Sequence, residues 1–281
     1  MTILRAGLIG DHISQSRLSR GLRLMCEDHG MTLEFEMIDS AKTAGFDFAD
    51  TLRTCRNAGW TGVTVTHPYK ADAAAFAGGA APDEVRLLGA SNTLIFKPDL
   101  TAHNTDYTGF LSAWHHVFAG RSPGRVAMAG AGGVARALGP ALARLGATDI
   151  AIWDTDMDRA QALVTRIGGP ARAVPLEQAA KATAAADGLV NATPLGMTYH
   201  PGSAFDPAWI GPQSWAFDAV YTPTDTTFLK NCDAQGLAIL SGFDLFRFMA
   251  MNSFEAYTGL TPDPAHTLPR LDALRPTEDN P

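Results

Sequence analysis

A lysine and an aspartate in two short polar runs have the side chains that proton transfer requires. Lys70 ends the run Thr64-Val65-Thr66-His67-Pro68-Tyr69-Lys70, just past a predicted strand over residues 62–66, and Asp106 ends Asn104-Thr105-Asp106. Few of the 22 basic residues are lysines, so a lysine within such a run stands out. At adjacent strand ends the two groups could share a proton network with a substrate hydroxyl. The alternative is a surface salt bridge.

A glycine-rich run has the pattern of a phosphate-binding turn. It follows a predicted strand over residues 125–129 and opens a predicted helix over 136–145. The pattern G-x-G-x-x-G/A permits a tight turn, close approach of the backbone to a pyrophosphate, and amides at a helix N-terminus that face the anion. The alternative is a turn that only joins strand to helix. The residues of the run are Gly130, Ala131, Gly132, Gly133, Val134 and Ala135.

Asp154 ends the next predicted strand, 22 positions after Gly132. A carboxylate at about that distance accepts hydrogen bonds from the adenosine ribose hydroxyls and repels a 2′-phosphate. The nearest arginine is Arg159. The pattern therefore predicts NAD as the cofactor rather than NADP, with a simple turn residue as the alternative.

These residues require a sheet that places them at strand ends. Predicted strands over 4–9, 33–38, 62–66 and 93–96 alternate with helical segments over 19–27 and 46–57, which indicates a mostly parallel sheet. A turn-rich stretch over 119–124 precedes a second series, with strands over 125–129, 149–153, 188–191 and 215–220. The prediction is a two-domain α/β protein, an N-terminal three-layer α/β domain plus a Rossmann domain. The domains are 1–115, completed by a C-terminal helix in 241–281, and 116–240, and the tail from Thr261 is predicted to be loosely ordered.

Composition limits the function classes. The 281 residues are 46% hydrophobic and 18% charged, with a net charge of −7 and three cysteines. A core of this size excludes a disordered chain, and the acidic balance disfavours nucleic-acid or membrane surfaces as partners. Three distant cysteines, no long apolar run and a strand-like start predict a soluble cytoplasmic protein. His115-His116 has no third ligand nearby, so no metal site is predicted.

Several separated motifs resemble those of the shikimate and quinate dehydrogenases, over almost the whole length. Each motif is short, but their joint order and spacing are specific. The matching segments are Gly7-Leu8-Ile9-Gly10 with Ser14-Gln15-Ser16, Val65 to Lys70, Gly89-Ala90-Ser91-Asn92-Thr93-Leu94, Asn104-Thr105-Asp106, Gly130 to Ala135, Asn191-Ala192-Thr193-Pro194-Leu195-Gly196-Met197, Asp218-Ala219-Val220-Tyr221-Thr222-Pro223, and residues 242–255.

The resemblance implies an oxidoreductase that reversibly oxidises a ring hydroxyl with a nicotinamide cofactor. Lys70 would be the general base in oxidation and the acid in reduction, Asp106 would flank the same hydroxyl, and Asn92 would bind another ring hydroxyl. The residues implied at the substrate carboxylate are Ser16, Thr66 and Tyr221. The positions implied at the cofactor are Gly130, Ala131, Gly132, Gly133, Val134, Ala135, Asp154, Thr193, Pro194 and Gly242. The implied partner is a small ring carboxylate, and the expected state is a monomer or homodimer.

The departures from the family pattern leave the ring substrate open. Leu18, Thr64 and Met249 stand where the family usually has a serine or threonine, an asparagine and a glutamine. His67 resembles the NAD-using quinate/shikimate branch, or is a packed strand-end residue. One alternative is a dehydrogenase of the same lineage for a less polar or amino-substituted ring. A second alternative is a non-catalytic sensor of NAD or a metabolite, although a sensor has no need of Lys70 and Asp106.

Overall fold

A computed structural model of the protein describes residues 2–276. Within the described residues the chain divides into two compact units, one of residues 2–109 and 247–274 and the other of residues 110–246 and 275–276. The divisions fall inside two helices, α5 (Thr105–Phe118) and α10 (Gly242–Thr258). Each unit has its own sheet. No helix within residues 2–276 is both long and apolar enough to cross a membrane.

The first unit is built on a five-stranded sheet in the order β2-β1-β3-β4-β5. The strands β1, β2 and β3 are parallel, and β4 runs antiparallel to both β3 and β5. The strands are β1 (Ile3–Gly10), β2 (Thr32–Asp39), β3 (Gly62–Val65), β4 (Thr93–Ile95) and β5 (Thr101–His103). The helices that begin in this unit are α1 (Leu18–Asp28), α2 (Phe48–Asn57), α3 (Lys70–Ala77), α4 (Asp83–Leu88) and α5, and it also holds α11 (Pro264–Asp272).

The second unit is built on six parallel strands in the order β8-β7-β6-β9-β10-β11. This is a doubly wound order, in which the strand order reverses between β6 and β9. Sheets of this kind bind dinucleotides at that point. The predicted Rossmann fold is therefore confirmed. The strands are β6 (Arg125–Ala129), β7 (Asp149–Trp153), β8 (Ala171–Ala173), β9 (Gly188–Asn191), β10 (Trp215–Asp218) and β11 (Ala238–Leu240). The helices are α6 (Ala135–Arg144), α7 (Met157–Ile167), α8 (Ala179–Ala184), α9 (Thr227–Ala234) and the start of α10.

Several interior strands of the two sheets are buried along their whole length. All residues of β3, β9 and β10 are buried, as expected for strands covered on both faces. Charges concentrate at the opposite end of the second sheet from the glycine-rich turn, where Arg125 forms a bidentate pair with Asp187. That arginine holds the pKa of Asp187 at about 2. The carboxyl ends of the strands are therefore the edge with polar side chains left for a ligand.

The prediction of a loosely ordered tail from Thr261 is wrong for the described residues. Residues 264–272 form α11, with the Asp263 side chain accepting a hydrogen bond from the Ala265 amide and Pro264 at the first helical position. An N-cap aspartate and a proline at the first helical position both signal a helix start. The prediction gave weight to the number of prolines and overlooked these two signals. Leu268 and Leu271 are buried, and Arg270 donates to the Leu24 carbonyl oxygen of α1. The final charged cluster lies outside the described residues.

Candidate active site and dinucleotide site

Lys70 and Asp106 are in direct contact in the first unit. Lys70 Nζ donates to Asp106 Oδ2 over 2.5 Å, and the side chains are 20% and 14% exposed. Lys70 is the first residue of α3, and Asp106 lies in the first turn of α5. The pair is therefore shielded from most water but still reachable by a ligand. A shielded amine held by a carboxylate can exchange a proton with a bound hydroxyl.

Ser91 joins the two segments that carry this pair. Its amide donates to the Lys70 carbonyl oxygen over 2.8 Å, and its Oγ donates to the His103 carbonyl oxygen at the end of β5 over 2.9 Å. Ser91 is fully buried, so these bonds are shielded from water. The start of α3 is thereby fixed relative to the start of α5. This explains how residues 36 positions apart meet.

Asn92 is oriented so that its amide nitrogen can serve a ligand. Its Oδ1 accepts from the Thr105 amide over 2.7 Å, from Thr105 Oγ1 over 3.1 Å and from Thr93 Oγ1 over 3.2 Å. Thr105 Oγ1 also bonds to Ser253 Oγ at 3.0 Å. Since Oδ1 already accepts these three hydrogen bonds, Nδ2 is the atom that can bind a substrate, and it can only donate. A hydroxyl oxygen or a carboxylate satisfies that requirement.

Ser16 and Thr66 lie after neighbouring parallel strands of the same sheet. Thr66 follows β3 and donates its amide to the Ile9 carbonyl oxygen of β1 over 2.9 Å, while Ser16 lies in the loop after β1. Both side chains are half-buried. The Asp11 amide donates to the His67 carbonyl oxygen over 2.9 Å and joins the two loops, and the His67 side chain is exposed. The remaining predicted carboxylate contact, Tyr221, belongs to the second unit.

The three positions that depart from the family pattern have structural roles in the first unit. Thr64 is buried, and its Oγ1 lies 2.8 Å from the hydroxyl of Tyr257 on α10. Leu18 is buried at the start of α1. Met249 packs on Gly109, where a Cβ atom would lie 2.8 Å from the Met249 nitrogen. Thr64 therefore forms a hydrogen bond with Tyr257. The two residues are 193 positions apart, so the sequence alone could not reveal this contact.

In the second unit, the glycine-rich turn has the open space that a pyrophosphate needs. Gly130 has a φ of +97°, and a Cβ there would lie 2.7 Å from the Ala192 carbonyl oxygen, so only glycine fits. A Cβ on Gly132 or on Gly133 would meet no atom within 4 Å. The turn leads directly into α6, whose start offers peptide N–H groups to an anion. These features fit the phosphates of a dinucleotide.

Asp154 holds this turn by hydrogen bonds from its carboxylate to backbone amides. Its Oδ2 accepts from the Ala131 amide over 2.8 Å, and its Oδ1 accepts from the Asp156 amide over 2.9 Å. The side chain is half-buried. A carboxylate has about four acceptor sites, so it can also accept from ribose hydroxyls. Arg159, the nearest arginine in sequence, pairs with Asp156 at 3.2 Å.

A buried network joins the loops that follow β9 and β10. The Asn191 amide nitrogen donates to Asp218 Oδ1 over 2.9 Å, and Thr226 Oγ1 donates to Asp218 Oδ2 over 2.6 Å. Asn191 Oδ1 accepts from the amide and from the hydroxyl of Thr193, over 3.0 and 2.6 Å. Burial raises the pKa of Asp218 to about 6 despite these donors. The sequence marked Thr193 as a site residue but gave Asp218 no role, since a strand-end aspartate shows its burial only in the fold.

The other predicted cofactor positions flank the same two loops. Pro194 is exposed beside Thr193. Gly242 opens α10 so close to the end of β10 that a Cβ would lie 2.7 Å from the carbonyl oxygens of Ala219 and Val220. Ser241 and Asp244 cap that helix reciprocally, since the Ser241 amide donates to Asp244 Oδ2 and the Asp244 amide donates to Ser241 Oγ. Among residues 2–276, no group of three potential metal ligands occurs.

The chain is similar in sequence to known proteins. A family model for the shikimate dehydrogenase substrate binding domain matches residues 8–94. The quinate/shikimate dehydrogenase (NAD(+)) of Corynebacterium efficiens is 34% identical over 266 residues, which cover 92% of this chain and 93% of that protein. This chain belongs to the shikimate/quinate dehydrogenase family. The predicted resemblance is confirmed, and as a member of this family the protein is an oxidoreductase.

Two further relatives define the range of the family around this chain. The shikimate dehydrogenase (NADP(+)) of Maricaulis maris is 35% identical over 267 residues, covering 95% of this chain and 93% of that protein. A solved structure of quinate dehydrogenase from Corynebacterium glutamicum in complex with NAD superposes with a TM-score of 0.91 at 31% identity, and the match covers 97% of this chain and 100% of that chain. Relatives of this chain in the shikimate/quinate dehydrogenase family are thus named with NAD or with NADP. The predicted two-domain α/β fold class is confirmed.

Proposed function

We propose that this member of the family oxidises a secondary hydroxyl of quinate, shikimate or a related cyclic hydroxy-carboxylate with NAD, reversibly. The observation that carries the proposal is the contact between Lys70 Nζ and Asp106 Oδ2, at 2.5 Å and largely shielded from water. Supporting it, the solved relative with a TM-score of 0.91 is a quinate dehydrogenase in complex with NAD. A sensor would gain nothing from a shielded proton-transfer pair.

In the proposed reaction, the protein handles the proton. Bound nicotinamide supplies the hydride acceptor for oxidation and the hydride donor for reduction. Lys70 Nζ takes the proton of the substrate hydroxyl as the carbonyl forms and returns it in the reverse direction. Asp106 accepts a hydrogen bond from Lys70 Nζ and so orients the amine toward that hydroxyl. Because the turn 130–135 and the sheet order fit a dinucleotide, residues of the second unit would hold that group.

Apart from the Lys70–Asp106 pair at the reacting hydroxyl, the proposed substrate contacts are polar but uncharged. Asn92 Nδ2 would donate to a ring hydroxyl oxygen, since its Oδ1 is committed to Thr93 and Thr105. The hydroxyls of Ser16, Thr66 and Tyr221 would donate to the carboxylate. Leu18 and Met249, where the family usually has polar residues, favour a second candidate substrate class: a less polar or amino-substituted ring. The proposed catalytic domain is 1–115 with the C-terminal helix, and the proposed cofactor domain is 116–240.

We propose NAD over NADP because the ribose end of the turn is acidic. Asp154 contacts the Ala131 amide, so its carboxylate lies at the turn itself. Asp156 and Asp158 follow within four residues, and Arg159 is paired with Asp156. A 2′-phosphate there would face carboxylates and no available arginine in this segment. We also propose a cytoplasmic monomer or homodimer.

The test is a matrix of initial rates followed by absorbance at 340 nm. NAD and NADP are each combined with quinate, shikimate and amino-substituted analogues. We expect turnover with NAD and a ring hydroxy-carboxylate. Faster turnover with NADP would contradict the role of Asp154, and turnover only with analogues would select the second substrate class. Binding of NAD without reduction by any ring substrate would support the sensor instead.

A variant pair makes the cofactor test sharper. Asp154→Asn keeps the side-chain oxygen for the Ala131 amide but removes the charge, so we expect the preference for NAD over NADP to shrink about tenfold or more. Asp233→Asn, which changes an exposed carboxylate on α9 outside the segment 154–159, is the matched control and should change the preference little. Equal effects of the two substitutions would indicate a general charge effect rather than a contact at the ribose.

A further inference from the structure

Asp218 is a fully buried carboxylate. Among the ion pairs found within residues 2–276, none joins Asp218 to a basic residue. Asp218 is 0% exposed. Its oxygens accept from three neutral donors: Asn191 Nδ2 over 2.9 Å, the Val220 amide over 3.0 Å and Thr226 Oγ1 over 2.6 Å. Burying an ionised carboxylate costs free energy that such bonds only partly offset. Because the burial of this carboxylate costs free energy, it points to a role beyond packing.

The hydrogen bonds of Asp218 decide which way Asn191 points. A carboxylate can only accept, so Asn191 must turn its Nδ2 toward it and its Oδ1 away. The Oδ1 then accepts from both the amide and the hydroxyl of Thr193. With its proton committed to Asn191, the Thr193 hydroxyl accepts from the Leu195 amide over 3.1 Å. Asn191 Nδ2 also donates to the Leu195 carbonyl oxygen over 2.9 Å, which closes the loop on itself.

The loop fixed in this way lies against the phosphate-binding turn. A Cβ on Gly130 would lie 2.7 Å from the Ala192 carbonyl oxygen and 3.0 Å from Thr193 Cγ2. The first glycine of the turn and the loop 191–196 are therefore in van der Waals contact. On its other side, Asp218 holds Thr226, the residue that caps α9 by accepting from the Leu229 amide over 3.2 Å. One carboxylate thus joins the ends of β9 and β10.

We propose that Asp218 is a positioning residue of the dinucleotide site, which acts through Asn191 to hold the loop 191–196, and Thr193 in particular, in the conformation that receives the cofactor beside Gly130. The inference depends on the proposed function, in that a nicotinamide dinucleotide binds at this turn. Asp218 acts only as an acceptor in this network. Protonation of the carboxyl removes the negative charge that strengthens the hydrogen bonds from Asn191 and Val220, and it places a second proton between Oδ2 and Thr226 Oγ1, so the loop is held more weakly.

The ionisable groups around Asp218 define what else titrates there. Cys232 on α9 interacts with it, and burial together with the charge of Asp218 raises the pKa of the thiol to about 12. That thiol therefore stays neutral across the physiological range. The other ionisable residues on the adjoining elements are Tyr199, His200 and Asp206 in the loop after β9, Tyr221 and Asp225 in the loop after β10, Lys230 and Asp233 on α9, and Asp244, Arg247, Glu255 and Tyr257 on α10.

The experiment measures NAD binding to the full chain by calorimetry, without ring substrate, between pH 5 and pH 8. For the wild type we expect the dissociation constant to rise as the pH falls through about 6, where Asp218 gains its proton. Asp218→Asn should bind NAD about tenfold more weakly at pH 8 and should lose this pH dependence. Asp233→Asn, an exposed carboxylate on α9, is the matched control and should behave like the wild type. His200→Gln should keep the wild-type profile, which would attribute the pH dependence to Asp218 rather than to this neighbouring histidine.

A second pair of variants tests the same inference without altering Asp218. Thr226→Val removes the donor to Oδ2, which favours the protonated carboxyl, so the midpoint of the pH profile should move to higher pH. Thr226→Ser keeps that donor and should restore the wild-type midpoint. This pair decides the matter if Asp218→Asn does not fold, as judged by thermal unfolding. A purely structural role predicts weaker binding with an unmoved midpoint.

The outcomes separate this inference from the proposed function. If the wild type binds neither NAD nor NADP at any pH, both are overturned. If the wild type binds NAD but Asp218→Asn keeps its affinity and its pH profile, only the role of Asp218 fails. An unmoved midpoint in Thr226→Val also overturns that role.

Discussion

Two aspartates at strand ends, one in each unit, are held in opposite ways. Asp106 is 14% exposed and is paired with the positive charge of Lys70. Asp218 is fully buried, and its three recorded donors are neutral. The first arrangement leaves a charged pair within reach of a ligand, which suits proton transfer. The second leaves no surface for a ligand to touch, which suits the fixing of nearby loops. The comparison shows that a carboxylate's partners and access indicate its role better than its position in a motif does.

The largest expected effect breaks the first arrangement. Lys70→Met removes the amine but keeps the apolar stem, so kcat should fall by about 10²–10⁴-fold. Since the pair is partly exposed, the free energy of unfolding should change by less than about 1 kcal/mol. Steady-state kinetics at saturating NAD and substrate measure the first quantity, and denaturant titration measures the second. Lys42→Met, an exposed lysine, is the control, and a kcat within twofold of the wild type in Lys70→Met would exclude the assigned base.

The second prediction compares the two aspartates by stability. Asp218→Ala leaves the Asn191 amide, the Val220 amide and the Thr226 hydroxyl without their acceptor inside the fold, which should cost about 2–4 kcal/mol of unfolding free energy. Asp106→Ala leaves the amine of Lys70, whose side chain is 20% exposed, with some access to water, so it should cost less unfolding free energy than Asp218→Ala does. Urea titration of both variants measures the difference. Equal costs would show that burial does not distinguish the two sites.

The third prediction uses pH. Burial raises the pKa of Asp218 from 3.8 to about 6 in the folded state, so the folded state binds that proton more tightly than the unfolded state does. Its contribution to stability is therefore complete below pH 3.8 and is lost as the pH rises through about 6. Relative to Asp218→Asn, the wild type should lose about 1.4 kcal/mol for each pH unit in that range at most. Urea titrations at pH 4, 5, 6 and 7 check the sign, and a difference that is constant with pH would contradict it.

The smallest expected effect concerns Thr64, a departure from the family pattern in the first unit. Tyr257→Phe removes one buried hydroxyl and leaves Thr64 Oγ1 without that partner, at a cost of about 1 kcal/mol. The double variant with Thr64→Val should recover part of this loss, since neither buried hydroxyl is then left alone. A double-mutant cycle in urea measures the coupling, and additive losses would show that the two hydroxyls do not stabilise each other.

Most of the element order follows from local sequence. The longer strands of both sheets were predicted from their apolar residues, whereas β5, β8 and β11 were not. The glycine-rich turn could be recognised because its glycines, its following helix and Asp154 lie within one strand–helix–strand unit. The tail was misjudged because a count of prolines concealed that Asp263 and Pro264 begin a helix. Short elements such as β5 and α4 also went unpredicted, since three to six residues carry little periodicity.

The sequence by itself determined the two α/β series, the dinucleotide turn and the presence of Lys70 and Asp106, because each depends on neighbouring residues. The tertiary structure alone decided that Lys70 and Asp106 touch, that Thr64 bonds to Tyr257 and that Asp218 is buried under Asn191 and Thr226. These contacts join residues up to 193 positions apart or depend on strand register. Burial and hydrogen-bond partners are properties of the packed sheet, and they decide whether a carboxylate stays within reach of a ligand or is enclosed by neutral donors.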